Sequence, residues 1–343
     1  MRSLLLLAAL AVCPGCLINR WSASADGRLL AAFTRTAVVV TGPDLDRLEH
    51  WPAAERPAIV EISPNGRWIV YNTDKASGLW LIDREKKTSV QVGTGADFTL
   101  HTPWSPDSTR FAFCEHRETD PGQFGRLRIH NVLTGETLTA LECGAPMTSW
   151  SPSGQSLFTL APDLGPAARE HVTGTLVRWT GDGVDKLASV ALVSFLHALD
   201  DSQALFTTAT LTIPFAFEED TLKKARYALF RASVRGTSVT RLADGVGWFS
   251  MSPDGKRLIA WVLEKDGEDP PIRLELFDRD GTSLRVLLPS AGYHPREALV
   301  PLWQDSKRVL VPIGPPDRPE LKRIDVETGT SEDLSAKEAA WSR

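Results

Sequence analysis

A four-residue turn recurs along the chain, and this recurrence limits the possible folds more than any other feature of the sequence. In the copy Ser252-Pro253-Asp254-Gly255, proline presets φ near about −65°, aspartate can bond its own backbone, and glycine accepts positive φ. Apolar residues precede it (Trp248–Met251) and follow it (Leu258–Trp261), which is typical of two strands joined by a tight turn. The third turn residue recurs at seven places, of which the fifth and seventh are degenerate: Asp26, Asn65, Asp107, Ser153, Asp201, Asp254 and Asp305.

Each copy of the turn is followed by two further strand patterns. A third strand ends at an Asp or Gly turn, as in Leu79–Asp83 and Leu274–Asp278, and a more polar fourth strand follows, as in Ser89–Val92 and Ser283–Leu287. Four antiparallel strands in every 40 to 50 residues, roughly, are the signature of a β-propeller blade. The sequence therefore predicts an all-β fold: one propeller over residues 16–343, with seven four-stranded blades and with six or eight blades as the alternatives.

The turn and the strand after it resemble the TolB-like, WD-like propeller repeat, in which an aromatic-Ser-Pro-Asp-Gly turn precedes Lys or Arg and an apolar strand. Gly66-Arg67 and Gly255-Lys256-Arg257 match that pattern, and the resemblance covers residues 21 to about 341. It implies a fold and no particular activity, because propellers host many unrelated functions. We interpret the turn residues as structural: Asp26, Gly27, Asn65, Gly66, Asp107, Gly154, Asp254 and Gly255.

The N-terminus has the pattern of an export signal. A positive start at Arg2 precedes the apolar run Leu4–Val12, which is too short for a permanent membrane span. The run leads to Gly15-Cys16, and this ending resembles a bacterial lipoprotein signal, which implies a signal peptide over residues 1–15 and lipidation of Cys16. Cys13 as the lipidated residue and an ordinary secretory signal are the alternatives. Leu17, which is not an aspartate, favours an anchor in the outer membrane over one in the inner membrane.

Charge and cysteine placement exclude some further classes. A formal net charge of −5 offers no basic field for nucleic acid. The repeat places Cys114 on a second strand and Cys143 at the end of a fourth, so about 10 Å would separate them across the third strand. A disulfide needs Cα atoms within about 7 Å. We therefore expect two thiols, and we expect a monomer without a cofactor or metal ion.

The variation in repeat length lies in the connections between second and third strands, of which Thr207–Arg226 is the longest. These connections leave a propeller on one face together with the connections between blades, such as Gly42–Pro57, and insertions gathered on one face mark a binding face. Within the longest connection, an apolar tip beside acids predicts a protein contact, unless the phenylalanines fold back onto their own blade. The candidate binding residues are Ile213, Phe215, Phe217, Glu218, Glu219 and Asp220.

The mature sequence contains no nucleophile elbow, zinc helix, phosphate loop or C-x-x-C pair. The acidic loop Asp266–Asp269 lacks the spacing of a calcium loop. We therefore predict a non-catalytic, exported and lipid-anchored scaffold of the cell envelope or periplasm that binds another protein or an envelope polymer through its long-loop face. The alternatives are a propeller hydrolase or lactonase, or a small-ligand binder, acting at the central channel. The tail Ala339–Ser342 looks like one more first strand that completes the first blade, or else a frayed end.

Overall fold

The computed structural model describes residues 21–73, 78–93, 103–115, 125–141, 147–162, 173–191, 193–210, 226–234, 239–263, 272–289, 300–313 and 320–335. The regular elements of this part are 27 strands, which form seven antiparallel sheets. In each sheet the strands are hydrogen bonded in the order of the chain, which is the arrangement of a propeller blade. The predicted all-β propeller with seven blades is confirmed. No helix among the described residues is long and apolar enough to cross a membrane.

The blades follow one another along the chain. Blades 1 to 4 comprise β1 (Trp21–Ala23), β2 (Leu30–Phe33), β3 (Ala37–Thr41) and β4 (Arg47–Pro52); β5 (Pro57–Ile62), β6 (Trp68–Thr73), β7 (Leu79–Asp83) and β8 (Thr88–Gly93); β9 (Arg110–Glu115), β10 (Arg126–Asn131) and β11 (Thr137–Leu141); and β12 (Thr148–Trp150), β13 (Leu157–Pro162), β14 (Thr173–Trp179) and β15 (Val184–Ala191). Blades 5 to 7 comprise β16 (Val193–Ala198), β17 (Gln203–Thr210), β18 (Arg226–Ser233) and β19 (Val239–Asp244); β20 (Val246–Met251), β21 (Arg257–Leu263), β22 (Ile272–Asp278) and β23 (Ser283–Leu288); and β24 (Leu302–Trp303), β25 (Arg308–Ile313), β26 (Glu320–Asp325) and β27 (Ser331–Asp333). In blade 3 a bridge between Trp104 and Phe111 takes the place of the first strand.

Burial falls from the second strand of a blade to the fourth. In blade 2 every residue of β6 is buried, whereas the first four residues of β8 are exposed. The first strands of neighbouring blades contact one another and surround a central channel. Second strands contain continuous apolar runs because neighbouring blades cover both of their faces. The core therefore lies in layers between blades, as in the cluster that joins Phe195, Trp248 and Trp303 of blades 5, 6 and 7.

The segment Gly42–Pro57, which we expected to be a connection between blades, contains the fourth strand of blade 1. Residues Gly42 to Asp46 form a tight turn, with Leu45 at a φ of 65°, and β4 pairs along β3 after it. The strand has few β-branched residues and ends in proline, so its sequence does not have the usual pattern of a strand. Blade 1 therefore has the same four strands as its neighbours.

Blade 7 contacts blade 1 and closes the ring through side chains. Gln304 donates from Nε2 to the Pro43 carbonyl at 2.9 Å, and Arg323 Nη1 lies 2.8 Å from Asp44 Oδ1. The backbones also approach closely here, because a Cβ built on Gly27 would lie 1.4 Å from the Gln304 carbonyl oxygen. All four strands of blade 1 come from one continuous stretch of chain.

Two expectations fall on residues outside the described part. Ala339–Ser342, the proposed closing strand, lies there, so its role stays a prediction. Cys114 is buried on β9, whereas Cys143 is not described, and the expectation of two thiols stays a prediction as well.

Candidate functional site

The tight turns are held by hydrogen bonds between their own residues. Ser252 donates from Oγ to Asp254 Oδ1 at 2.6 Å and accepts the Arg257 N–H at 3.0 Å, while Gly255 has a φ of 67°. The pKa of Asp254 is lowered because Ser252 and then the Lys256 N–H donate to its carboxylate, although burial opposes the change. The same serine bond reaches Asp26, Asn65 and Asp107, and positive φ occurs at Gly27, Gly66 and Gly154. The surface that carries these turns is called the turn face below.

In the degenerate turn of blade 5, the acid that caps the turn is not Asp201, the residue at the third turn position in the sequence. Asp200 Oδ1 accepts the Ser202 N–H at 2.7 Å, so Asp200 caps this turn. Asp201 instead accepts a hydrogen bond from Ser153 Oγ of blade 4 at 2.6 Å. Asp201 therefore links two blades and does not cap its own turn.

Tryptophans directly before three turns explain the aromatic residue in the repeat. Each indole N–H reaches back to the preceding blade and donates to the backbone carbonyl of the residue two positions before that blade's turn. A buried indole usually has such a partner. The pairs are Trp104 Nε1 with Glu61 O (3.1 Å), Trp150 Nε1 with Pro103 O (2.9 Å) and Trp303 Nε1 with Ser250 O (2.9 Å).

Serines make the same connection where the tryptophan is missing. Ile62 and Ala198 occupy the position before the turn in blades 2 and 5, and neither side chain can donate. Ser22 Oγ of blade 1 accepts the Ile62 N–H at 3.2 Å, and Ser149 Oγ of blade 4 accepts the Ala198 N–H at 2.9 Å. A ring of inter-blade hydrogen bonds, which we call the channel belt, therefore crosses five of the seven blade boundaries at one level of the channel.

A cavity of about 240 Å³ lies in this channel. Described residues from the first strands of five blades line it, and so do Pro103 and Trp104 of blade 3 and the turn residues Ala25 and Pro64. Ala25 is exposed, so the cavity reaches the turn face. The volume corresponds to about eight water molecules. Aromatic residues from four blades are among those that line it: Trp21, Trp104, Phe195 and Phe249.

Two titratable side chains lie among these apolar walls. Glu61 is buried, and its Oε2 accepts a hydrogen bond from Ser22 Oγ at 2.8 Å. His197 is half-buried across the channel in blade 5, and burial, with a smaller contribution from Arg279, lowers its pKa to about 4. The described lining therefore includes a buried glutamate and an imidazole that is neutral at pH 7, together with aromatic residues. This arrangement can hold a polar or charged group of a small, otherwise apolar ligand.

The other predicted site residues lie outside the described part of the chain. Cys16 and the candidate binding tip (Ile213, Phe215, Phe217, Glu218, Glu219 and Asp220) are among them, so their roles stay predictions. The strands that carry the tip are described, and they end at Thr210 and begin again at Arg226. Within the described ranges, no group of three or more His, Cys, Asp or Glu residues is arranged to hold a metal ion.

None of the residues that line the cavity was among the predicted site residues. Aligning the seven turns and reading the residue two positions before each would have found part of them, because six of the seven residues in this register line the cavity. The register reads Ser22, Glu61, Pro103, Ser149, His197, Ser250 and Leu302.

No protein-family model and no curated protein sequence matches the chain. Solved structures do. The β-propeller domain of the Trilobed protease from Pyrococcus furiosus aligns with a TM-score of 0.63 at 15% identity, over 92% of this chain and 93% of that one. An oligogalacturonate lyase in complex with manganese gives 0.60 at 14% identity, over 87% and 85%. TolB from Acinetobacter baumannii gives 0.50 at 15%, over 88% and 77%. At these identities the likeness establishes the fold, a propeller like that of TolB.

Proposed function

We propose that the chain is an exported, lipid-anchored propeller that binds an envelope protein or polymer on the face opposite the turn face, without catalysing a reaction. The observation that carries the proposal is the difference between the two faces. The turns of the turn face are short and share one set of hydrogen bonds. On the opposite face, called the long-connection face, the connections between second and third strands range from Thr34–Thr36 in blade 1 to residues 211–225 in blade 5.

The ring beneath these connections is suited to present them. The channel belt joins five blade boundaries, Thr207 Oγ1 donates to the Gly247 carbonyl at 2.9 Å between blades 5 and 6, and Gln304 bonds blade 1. Connections held at fixed separations lose less conformational entropy when a partner binds them. A surface built from several connections also spreads recognition over many residues, as repeat proteins do.

The sequence supports the anchor. An apolar run followed by Gly15-Cys16 provides both the export signal and the acceptor cysteine. We expect the N-terminal peptide of the membrane-derived protein to begin at Cys16 and to carry lipid in mass spectrometry. Cys16→Ala should release the protein from the membrane fraction, and the matched variant Cys13→Ala should not. Release by Cys13→Ala alone would place the anchor at the other cysteine, and retention of both variants would exclude a lipid anchor.

The binding tip can be tested by deletion. We expect that replacing residues 213–220 with a short Gly-Ser linker reduces the recovery of a crosslinked partner at least tenfold. Deleting residues 266–269 from the neighbouring blade is the matched control, because it removes an acidic loop from the same face. The proposed tip is wrong if both variants retain the partner, and a larger loss in the control would move the contact to blade 6.

A further inference from the structure

We propose that β8, the outer strand of blade 2, binds an extended peptide segment of a partner protein, which adds to the sheet as a fifth, antiparallel strand. The segment carries aliphatic residues at alternate positions and acidic residues at its C-terminal end. The edge of blade 2 lies on the rim of the ring, so this site is independent of the long-connection face to which a partner is assigned above.

Seven outer strands form the rim of the ring, and β8 lacks the features that prevent an edge from binding a further strand. The last strand of each blade lies at the edge of its sheet, and among the described residues β8 pairs with β7 alone. Natural proteins block such edges with charged residues and proline. Charged residues occur in β4, β15, β19, β23 and β27. By contrast, β8 contains neither a charged residue nor a proline, and its first four residues are exposed.

The neighbouring edge strand β11 in blade 3 is also uncharged in sequence, but a guanidinium group lies on it. Arg128 Nη1 donates to Thr139 Oγ1 at 3.1 Å and to Glu115 Oε2 at 3.2 Å. In β8, residues 88–91 pair one for one with β7 before the register shifts. The edge of blade 2 is therefore regular and uncharged over four consecutive residues.

Apolar side chains lie on one side of this edge. Val90 is 50% exposed and pairs with Leu81, which belongs to the hydrophobic cluster between blades 2 and 3. Val132 of blade 3 packs against the same cluster, and the next residue, Leu133, is 66% exposed. Cross-strand pairs of β-branched residues stabilise a sheet, so Val90 favours a valine or isoleucine opposite it.

The charge at the start of β8 indicates the direction of the peptide. Glu85 forms an ion pair with Arg67 at 2.8 Å. Lys87 Nζ lies 3.9 Å from Glu49 Oε1. Lys86 is exposed, and its ammonium group has no ion pair within the described part of the chain. The C-terminal end of an antiparallel partner strand lies beside the start of β8, so acidic residues at that end face Lys86 and favour this direction.

The shape of the rim favours a peptide over a second copy of the chain. Two convex rings would touch along one edge strand each, and a six-residue strand is about 20 Å long. With a sheet layer about 10 Å thick, such a contact covers roughly 200 Å² on each copy, far below the total of about 1,000 Å² that a stable interface buries. An extended peptide uses the backbone groups of the same edge and brings no second convex surface against the ring.

The test uses the purified full chain and a fluorescein-labelled peptide of the sequence SVTVSVTEE. Two control peptides are methylated on the backbone nitrogens of the valines, or on those of the serines and threonines. A strand donates to one neighbour from alternate residues only. We therefore expect one methylated peptide to bind like the parent and the other at least tenfold more weakly. No binding of the parent peptide, or equal binding of all three, would overturn the proposal.

Val90→Lys gives β8 the kind of charge that other edges carry, and the exposure of Val90 means that the fold should be retained. We expect at least a tenfold loss of affinity for the parent peptide. Leu284→Lys is the matched control, because Leu284 is an aliphatic residue of β23 with 52% exposure, and this variant should bind like the wild type. A loss in Leu284→Lys alone, or in Leu138→Lys of β11 alone, would place the peptide on another blade and overturn the assignment.

Hydrogen exchange identifies the paired strand directly. We expect the bound peptide to slow exchange at residues 88–93 and to leave residues 283–288 unchanged. Slow exchange at residues 88–93 without peptide, together with a dimer in sedimentation that Val90→Lys dissociates, would show that a second copy fills the edge. That result would overturn the choice of a peptide as the occupant.

Discussion

The channel belt predicts that the hydroxyl group of Ser149, at the boundary between blades 4 and 5, contributes more to stability than that of Ser250, at the boundary between blades 6 and 7. Ser149 Oγ accepts the Ala198 N–H at 2.9 Å, and both residues are about 1% exposed. Ser149→Ala keeps the Cβ atom but leaves this buried N–H without its acceptor. A buried donor that loses its partner costs about 1–3 kcal/mol.

Ser250→Ala is the matched control. Ser250 lies in the same register, two residues before a turn, but the belt bond at its boundary runs from Trp303 Nε1 to the Ser250 carbonyl, which the substitution retains. We expect its effect on the free energy of unfolding to stay within about 0.5 kcal/mol. The two serines therefore differ in which of their oxygen atoms the next blade uses.

Two measurements check this prediction. The midpoint of urea denaturation should fall for Ser149→Ala and stay near the wild-type value for Ser250→Ala. Hydrogen exchange of the peptide that contains Ala198 should accelerate by roughly five- to 150-fold in the first variant, which is the same free energy expressed as a ratio. If the two variants are equally stable and exchange alike at Ala198, the serine bond does not support the belt and the reasoning fails.

Three further predictions concern the contact between blades 7 and 1 and two titratable side chains. Gly27→Ala should destabilise the protein well beyond Gly255→Ala in denaturation experiments: both have a φ of 67°, but only at Gly27 would the new Cβ meet the Gln304 carbonyl, at 1.4 Å. Asp254→Asn should be less stable than the wild type at neutral pH, and this difference in the free energy of unfolding should narrow as the pH falls below about 4. The reason is that a carboxylate whose pKa is lowered in the folded state stabilises the fold at any pH above its unfolded-state pKa, and it loses that effect as it becomes protonated. Wild-type stability should fall as pH drops from 6.5 to about 4, where the unfolded chain protonates His197 and the folded chain does not, and His197→Gln should reduce this slope in a pH series of denaturation midpoints.

The fold was predictable because each turn residue has a local structural role that its residue type indicates. Ser252, Asp254 and Gly255 each perform a local task that the sequence alone reveals: a hydroxyl that bonds the turn, an acid that accepts from it, and a residue at positive φ. The sequence-based prediction was wrong where a residue of a different type or position has the same role in a turn. Asp200 caps the turn of blade 5 in place of Asp201. The turn before β4 has Leu45, and not glycine, at positive φ, so the sequence did not indicate a turn followed by a strand there.

The channel residues were harder to predict because blades share a geometry there and not a residue type. The register two positions before the turn contains serine, glutamate, proline, histidine and leucine, so it shows no pattern by composition. Five of its seven members provide a side-chain or backbone oxygen that accepts a hydrogen bond from the next blade. Such a site becomes visible only when the ring brings Ser22 and Glu61 together at 2.8 Å from separate blades.

In the part of the chain that the structure describes, the boundary between blades 5 and 6 lacks a bond of the channel belt, as does the boundary between blades 7 and 1. At five boundaries the residue two before a turn bonds the next blade, through a serine hydroxyl or a backbone carbonyl. His197 and Met251 occupy these positions at blades 5 and 6, and among the described residues no hydrogen bond joins them; Thr207 and Gly247 link the two blades elsewhere. Both His197 and Met251 line the cavity. Positions that depart from the rule followed by the rest of a fold are where function is expected, and both boundaries without a bond of the channel belt contribute residues to the cavity wall.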